Sequence, residues 1–141
     1  LKTVLVVEDY ADSRSMLGRL LEMSGYRVLE AADGREAVGV AERERPDVVL
    51  MDLQMPVLDG FTATSLIRRM ESTCRVPVIA VSAQSTADYV AAARRVGCDH
   101  FVPKPIDFDL LLGLVRDCTE GAGAGGYNAL PDSITIRQLC V

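Results

Sequence analysis

The sequence predicts an α/β fold in which one parallel sheet of five strands is covered by helices on both faces. Three observations support this fold class. Short apolar runs alternate with segments of helical periodicity five times, the crossovers are long enough to hold helices, and the first and third runs are apolar on both sides. The 141 residues are enough for one domain with one core. Because aromatic residues make up only 5% and Trp is absent, that core is expected to be aliphatic.

The predicted strands are short apolar runs that lead into polar residues. The first, Thr3–Val7, is rich in β-branched residues, and the third is fully apolar up to Asp52. Such runs are typical of strands buried on both faces. In the fourth strand, Pro77 lies near the start. The five predicted strands cover residues 3–7, 26–30, 48–51, 76–81 and 99–102.

The predicted helices have apolar residues at helical spacing and end at residues that stop helices. Gly25 follows the first helix, Pro46 ends the second and Gly97 caps the fourth. The apolar stripe expected to face the sheet from the first helix consists of Met16, Leu17, Leu20, Leu21 and Met23. The five predicted helices cover residues 12–24, 34–45, 61–70, 86–96 and 107–118.

The composition changes after the last predicted helix. We expect one domain over residues 1–118, followed by a Gly/Ala-rich linker and tail over 119–141. Residues 127–141 are too few to hold a core of their own. Three alternatives stay open for this tail: an added strand or packing segment, a remnant of cloning, or the stub of a truncated linker.

Charge and cysteine content exclude several classes of function. The net charge of −5 argues against nucleic-acid binding, which requires clustered Lys and Arg. No apolar run is long enough to span a membrane, and no signal peptide is expected at the start. The cysteines form no C-x-x-C pair and there is one His, so we expect thiols in a reducing cytoplasm and no zinc site. The cysteines are Cys74, Cys98, Cys118 and Cys140.

Polar residues follow four of the five predicted strands at the point where each strand ends. Glu8 and Asp9 follow the first strand, Asp52 ends the third, Ser82 follows the fourth and Lys104 follows the fifth. The carboxyl ends of parallel strands meet at one edge of the sheet, where ligands bind in open α/β folds. The five residues are therefore expected to gather at one site.

This combination of residues suggests metal-assisted phosphoryl chemistry. Three neighbouring acids repel each other, and a hard divalent cation such as Mg²⁺ relieves the repulsion. An ionised Asp52 is able to attack phosphorus. The metal and Lys104 would supply positive charge, and the Ser82 hydroxyl would bind a phosphoryl oxygen. The plainer alternatives are that Glu8 and Asp9 favour the following helix by their charge, that Ser82 caps a helix, and that Lys104 is a surface residue.

At these residues the sequence resembles the receiver domain of two-component response regulators, over residues 3–118. The most specific motif is D-x-x-M-P-x-x-D-G over residues 52–60, which includes Pro56 and Gly60. The other matching pieces are Val6 to Asp9, Val81 to Ala83, and Phe101 to Pro105. The resemblance implies a flavodoxin-like (βα)5 three-layer sandwich with strand order 2-1-3-4-5.

The resemblance also implies a role for each matching residue. Asp52 would be the phosphoacceptor, with Mg²⁺, or Mn²⁺ in its place, bound by Asp9, Asp52 and the Gln54 backbone carbonyl, and by Glu8 through water. Ser82 and Lys104 would contact the phosphoryl group, and Phe101 would be the switch aromatic, although a core role for Phe101 stays open. The Lys104–Pro105 bond would be cis, with Pro56 and Gly60 as structural residues. His100 is expected to be a loop histidine without a phosphotransfer role.

The partners implied by the resemblance are a sensor histidine kinase or a histidine phosphotransfer protein on the input side. The output side would be an unknown partner or a missing effector domain, engaged through the fourth helix, fifth strand and fifth helix. A homodimer through that surface stays open. The domain would be a phosphoacceptor and not an enzyme, apart from Mg²⁺-dependent self-phosphorylation and self-dephosphorylation.

Two other classes of protein fit the sequence less well. A phosphatase of the haloacid dehalogenase type would require a second Asp two residues after Asp52, where Gln54 stands. A flavodoxin-like binding module would require a phosphate-binding loop rich in Gly and Ser after the first strand. Glu8 and Asp9 occupy that loop and would repel phosphate in the absence of a metal.

Overall fold

Five strands and five helices alternate along residues 1–120, which are the residues that a computed structural model of the chain describes. The strands are β1 (Thr3–Val7), β2 (Arg27–Ala31), β3 (Val48–Asp52), β4 (Val78–Ser82) and β5 (His100–Pro103). The helices are α1 (Ala11–Met23), α2 (Gly34–Glu44), α3 (Gly60–Arg69), α4 (Ala87–Val96) and α5 (Phe108–Glu120). Of the linker and tail predicted over residues 119–141, Thr119 and Glu120 are the last two residues of α5, and residues 121–141, with Cys140, lie outside the described residues.

All neighbouring strands are parallel, and their order is β2-β1-β3-β4-β5. The predicted fold class and strand order are confirmed. In this order β1 and β3 are adjacent, so Glu8, directly after β1, and Asp52, the last residue of β3, end side by side. Ser82 at the end of β4 is in register with Pro103 in β5, which brings the loop holding Lys104 to the same edge.

The sheet separates two aliphatic cores because successive side chains in a strand point to opposite faces. In β1, Leu5 and Val7 belong to the core under α2, α3 and α4, whereas Val4 and Val6 belong to the core under α1 and α5. Each of these four side chains is at most 2% exposed. Burying one such side chain contributes about 1.5–3 kcal/mol, so the strand is held firmly from both sides.

The predicted apolar stripe of α1 is partly wrong. Leu17 and Leu21, four residues apart, are buried against the sheet, but the side chains of Met16 and Met23 are 56% and 83% exposed. The face of α1 that lies on the sheet is formed by Leu17, Gly18 and Leu21, and Met16 and Met23 lie outside that face. The exposed Met16 side chain is therefore available at the surface near the carboxyl edge of the sheet.

The predicted start of β4 is also too early, because the strand begins at Val78 and not at residue 76. Pro77 has no amide hydrogen for the ladder and contributes only its carbonyl, which accepts from Val49 N at 2.9 Å. The Val78 amide donates to Asp99 Oδ2 at 2.9 Å. Asp99 in turn pairs with the buried Arg68 at 3.0 Å, so a polar network inside the protein sets where β4 begins.

Side-chain caps fix the starts of the two helices that follow β3 and β4. Asp59 accepts from Thr62 N at 2.9 Å at the start of α3, and Thr86 accepts from Tyr89 N at 3.3 Å at the start of α4. Each cap satisfies an amide that the helix leaves without a partner. The two loops that lead from the carboxyl edge of the sheet therefore end at defined points. Within residues 1–120, no helix is long and apolar enough to cross a membrane.

Candidate functional site

Three carboxylates converge at the carboxyl edge of the sheet. Glu8 and Asp52 are each only 4% exposed, whereas Asp9 is exposed to solvent. One carboxylate oxygen from each residue lies within 4.8 Å of the others. The structure thus brings together the three acids that the sequence placed at the ends of β1 and β3. We call these three residues the acidic cluster.

Lys104 lies between the two buried acids of this cluster. Its Nζ is 3.1 Å from Glu8 Oε1 and 3.4 Å from Asp52 Oδ2. The Lys104 amide donates to the Ser82 carbonyl at 2.9 Å, and the Lys104–Pro105 peptide bond is cis. Burial alone would lower the Lys104 pKa, but the charges of Asp52 and Glu8 outweigh it and raise that pKa. Lys104 is therefore held as a cation at the centre of the site.

The same environment acts in a different way on Glu8. Burial raises the pKa of its carboxyl group, and the neighbouring Asp52 raises it further, while Lys104 opposes both effects. The cause is that two carboxylates share a poorly hydrated space with a single ammonium group. A second cation at the acidic cluster would relieve this shortage of positive charge.

The loop between β3 and α3 approaches Asp52 closely. The Gln54 amide donates to Asp52 Oδ1 at 3.0 Å, which orients the carboxylate. A Cβ on Gly60 would collide with the Asp52 carbonyl oxygen and lie 2.7 Å from Leu53 Cα, so only glycine fits there. Between these points the chain makes a tight turn at Val57, whose φ is +67°, with Leu58 N donating to Pro56 O at 2.7 Å.

Ser82 and Phe101 lie on the β4 and β5 side of the site. Ser82 is fully buried, and its hydroxyl oxygen accepts from Gln84 N at 3.0 Å. Phe101 is half-buried and packs against the core under α2, α3 and α4. It also lines a cavity of about 290 Å³ between α4 and β5, together with Val90 and Cys98. This cavity leaves room for the Phe101 ring to change its position.

Arg14 is a site residue that the sequence did not reveal. Its Nη1 donates to the Glu8 carbonyl at 2.9 Å, and its Nε pairs with Glu30 Oε1 at 3.2 Å. The contact ties the end of β1 to α1 and β2, and so fixes the backbone that presents Glu8 and Asp9. No motif marks Arg14, because its partner is a backbone carbonyl that any residue could supply.

An apolar groove opens beside the acidic cluster, between α1 and the start of α5. It has a volume of about 410 Å³ and ends at Glu8 and Lys104. Its apolar walls come from Met16, Leu17, Leu20, Pro105, Ile106 and Phe108. The groove and the acidic cluster therefore form one continuous surface.

The donor set of the acidic cluster fits a hard divalent cation. Carboxylate oxygens are the ligands that Mg²⁺ prefers, and a backbone carbonyl and water complete such sites. The exposed Asp9 gives the cluster an opening to solvent, while Glu8 and Asp52 supply buried negative charge. Soft-metal ligands do not belong to this cluster, which consists only of Asp and Glu.

A five-stranded 2-1-3-4-5 sheet with an acidic cluster and a lysine at its carboxyl edge defines the class of receiver domains of signalling proteins. The chain belongs to the family of response regulator receiver domains, whose model matches residues 4–116. It is therefore a receiver domain of the type found in two-component response regulators, which is a class of signalling domain.

Individual relatives agree with this family. The chain is 35% identical over 136 residues to the transcriptional regulatory protein PrrA of Mycobacterium tuberculosis, covering 96% of this chain and 57% of PrrA. The chain thus spans little more than half of that regulator. Protein PilH of Pseudomonas aeruginosa is 35% identical over 118 residues, covering 84% of this chain and 98% of PilH.

A solved structure extends the comparison to three dimensions. The receiver domain of a sensor histidine kinase from Pseudomonas aeruginosa PAO1 superposes with a TM-score of 0.79 at 35% identity, covering 84% of this chain and 98% of that domain. That domain was crystallised with a magnesium ion coordinated in its active-site cleft. The shared fold at this identity places the two chains in one structural family.

Proposed function

We propose that Asp52 accepts a phosphoryl group from the phosphohistidine of a sensor kinase or phosphotransfer protein, or from a small phosphodonor, in the presence of Mg²⁺. The observation that carries this proposal is the position of Asp52 between two further acids and the Lys104 ammonium, 3.4 Å away. Buried carboxylates beside a single cation are suited to binding a metal and then a phosphoryl group.

In the proposed reaction an Asp52 carboxylate oxygen attacks phosphorus. The new O–P bond forms as the N–P bond to the donor imidazole breaks, and the electron pair returns to the ring nitrogen, which takes a proton from water. The hydrogen bond from Gln54 N to Asp52 Oδ1 holds the carboxylate in one orientation, leaving Oδ2 for attack. Lys104, 3.4 Å from Oδ2, stabilises the negative charge of the transferred group.

Asp9, Asp52 and the Gln54 backbone carbonyl would hold Mg²⁺, with Glu8 acting through water, and Mn²⁺ would be an adequate substitute. The cation supplies positive charge to the phosphoryl oxygens. Asp9 is the exposed member of the cluster and gives access from solvent. The same site supports hydrolysis of the acyl phosphate, which is the self-dephosphorylation expected of the domain.

We further propose that phosphorylation changes the surface formed by α4, β5 and α5. The phosphoryl group would draw the Ser82 hydroxyl towards Asp52 and pair with Lys104, which would leave Glu8. The Ser82 hydroxyl bonds Gln84 N at 3.0 Å, so its movement would carry the loop to α4 with it. Phe101 would then turn inward beside the cavity that it lines. Differential contacts of this kind are what a population shift requires.

The phosphodonor protein is proposed to dock in the groove between α1 and α5. The groove ends at Glu8 and Lys104, so a helix lying in it would bring a histidine to the acidic cluster. The exposed Met16 side chain provides an apolar, adaptable contact for such a helix. The proposed functional unit is the domain predicted over residues 1–118, together with Thr119 and Glu120, which complete α5. The similarity to PrrA, of which the chain covers 57%, supports an output through a further domain, and the similarity to PilH, of which it covers 98%, supports a separate output partner.

Acetyl phosphate labelling tests the phosphoacceptor. The parent, the Asp52→Asn variant and an Asp59→Asn control are incubated with acetyl phosphate and Mg²⁺ and resolved on a phosphate-affinity gel. Asn keeps the cap at position 59, so the control should shift like the parent. The proposal predicts a shift in the parent that requires Mg²⁺ and is absent in Asp52→Asn. A full shift of Asp52→Asn, or sustained turnover of p-nitrophenyl phosphate by the parent, contradicts it.

A further inference from the structure

Two aromatic rings join the first turns of α3 and α4. The ring centroids of Phe61 and Tyr89 are 5.0 Å apart, and the ring planes meet at 79°. This is the edge-to-face arrangement that aromatic pairs prefer, which adds attraction beyond the burial of surface. Both side chains are half-buried and pack against the core under α2, α3 and α4. We call this contact the Phe61–Tyr89 pair.

On the α3 side, the pair is directly connected to the phosphoacceptor strand. Phe61 follows Gly60, whose amide donates to the Leu53 carbonyl at 3.2 Å. Gly60 lies so close to Asp52 and Leu53 that a single added carbon would collide with their backbone. The start of α3 therefore cannot shift relative to Asp52 without breaking this close packing, and Phe61 is a fixed point of the site.

On the α4 side, the pair is connected to the loop that contains Ser82. Tyr89 is in the first turn of α4, and its amide donates to the capping Thr86 hydroxyl at 3.3 Å. Four residues separate Ser82 from Ala87, the first residue of α4. Within this loop, Gln84 N donates to Ser82 Oγ at 3.0 Å. A ring that anchors the first turn of α4 therefore also limits how far the Ser82 loop can move.

We infer that Phe61 and Tyr89 are positioning residues that restrain the Ser82 loop in the unphosphorylated protein. This inference rests on the proposed function, because it concerns the movement of Ser82 towards a group on Asp52. The fixed ring of Phe61 holds Tyr89 and with it the start of α4. Moving Ser82 towards Asp52 pulls on the first turn of α4, and part of the attraction between the rings is lost.

The restraint has a measurable size. An aromatic edge-to-face pair is strong enough to bias a two-state equilibrium by about two- to tenfold. A ligand that binds only after Ser82 has moved must overcome this bias, so its apparent affinity is lowered by the same factor. A ligand that binds at the acidic cluster without movement of Ser82 is unaffected. Beryllofluoride, which mimics the phosphoryl group, is a probe of the first kind, and Mg²⁺ alone is a probe of the second kind.

The test compares beryllofluoride and Mg²⁺ affinities in five proteins, with the folded state of each verified by circular dichroism. They are the parent, Phe61→Leu, Tyr89→Leu, the double variant and Tyr26→Leu. Leucine keeps most of the apolar volume and removes the ring contact. Tyr26→Leu is the matched control, because Tyr26 is also half-buried but packs against the other core, under α1 and α5. Binding of beryllofluoride in saturating Mg²⁺ is followed by ¹⁹F NMR.

Each single variant is expected to bind beryllofluoride about two- to tenfold more tightly than the parent. The double variant should gain no more than either single variant, because all three remove one contact. Mg²⁺ affinity should be unchanged throughout, and Tyr26→Leu should match the parent in both affinities. Unchanged or weaker beryllofluoride binding in the single variants, additive gains in the double variant, or an equal gain in Tyr26→Leu overturns the inference.

The outcome for the parent separates this inference from the proposed function. If the parent binds beryllofluoride and is labelled on Asp52, but the variants bind with parental affinity, only the role of the Phe61–Tyr89 pair is rejected. If the parent binds no beryllofluoride and is not labelled by acetyl phosphate, the proposed function is wrong and the inference falls with it.

Discussion

The Lys104 ammonium is 3.1 Å from Glu8 Oε1, closer than the 3.4 Å that separates it from Asp52 Oδ2. Within residues 1–120, the only cation paired with the carboxylates of the acidic cluster is thus shared between Glu8, which follows β1, and the proposed phosphoacceptor in β3. A lysine held in this way compensates the charge of both acids, and under the proposed function it would change partners when a phosphoryl group is attached to Asp52. The strength of this shared contact can be measured by removing the ammonium.

Lys104→Met should lower the free energy of unfolding by about 1 kcal/mol without divalent cations, because two buried carboxylates lose their counter-charge. Mg²⁺ should then stabilise the variant more than the parent, since the metal replaces the missing charge. The acetyl phosphate labelling rate should fall by about 10²-fold. Urea titrations in EDTA and in Mg²⁺ measure the first two effects. Lys2→Met, at an exposed lysine, is the control, and an equal loss there argues against the shared contact.

Arg14→Met should weaken Mg²⁺ binding by about tenfold, because the hydrogen bond that fixes the Glu8 carbonyl is lost and the loop presenting Asp9 becomes looser. Isothermal titration with Mg²⁺ measures the change. Arg19→Met, at an exposed position of the same helix, removes the same charge without that hydrogen bond and should bind Mg²⁺ like the parent. Equal weakening of Mg²⁺ binding in both variants would mean that the change in net charge, and not the lost hydrogen bond, causes the effect.

Gly60→Ala should destabilise the domain by more than about 2 kcal/mol and reduce labelling of Asp52, because the new methyl group overlaps the Asp52 backbone. Gly39→Ala is the opposite case, since a Cβ at Gly39 in α2 would meet open space. It should stabilise the domain by about 0.5–1 kcal/mol through helix propensity. Thermal unfolding of both variants measures the difference, and a tolerated Gly60→Ala would show that the loop is able to move away from Asp52.

Cys98 should make the domain less stable at alkaline pH. Burial raises the pKa of its thiol from 9.0 to about 12. Above pH 9 the unfolded chain releases this proton while the folded protein keeps it, so stability falls by about 1.4 kcal/mol per pH unit until the folded pKa is reached. Urea titrations across this range should show a steeper decline for the parent than for Cys98→Ala. Parallel declines would mean that the buried thiol does not contribute.

The fold could be read from the sequence with few errors, and the errors have local causes. Val4 to Val7 are apolar on both faces, which is typical of a strand inside a covered parallel sheet. The burial of α1 was harder to predict, because Met16 and Leu17 are both apolar and only one can face the sheet. The predicted start of β4 is too early because the Val78 amide donates to the side chain of Asp99, which lies 21 residues further along the chain and outside any local pattern.

The candidate site could be predicted as a set of residues but not as a set of contacts. Glu8, Asp9 and Asp52 had to meet once the strands were parallel and β1 lay beside β3. The pairing of Lys104 with Glu8, the support of Glu8 by Arg14 and the Phe61–Tyr89 pair have no signature in the order of the residues. Each depends on how far one side chain reaches across a gap between two elements.

The sequence by itself determined which residues stand at the carboxyl edge of the sheet. Alternating strands and helices imply a covered parallel sheet, and the polar residues at the strand ends then share one edge of it. Only the tertiary structure decided the charge state and the restraints of the site. Burial sets how strongly Glu8, Asp52 and Lys104 influence one another, and the packing of α3 against α4 sets the contact between Phe61 and Tyr89. Both depend on distances of a few ångströms between segments far apart in the chain, which no local pattern encodes.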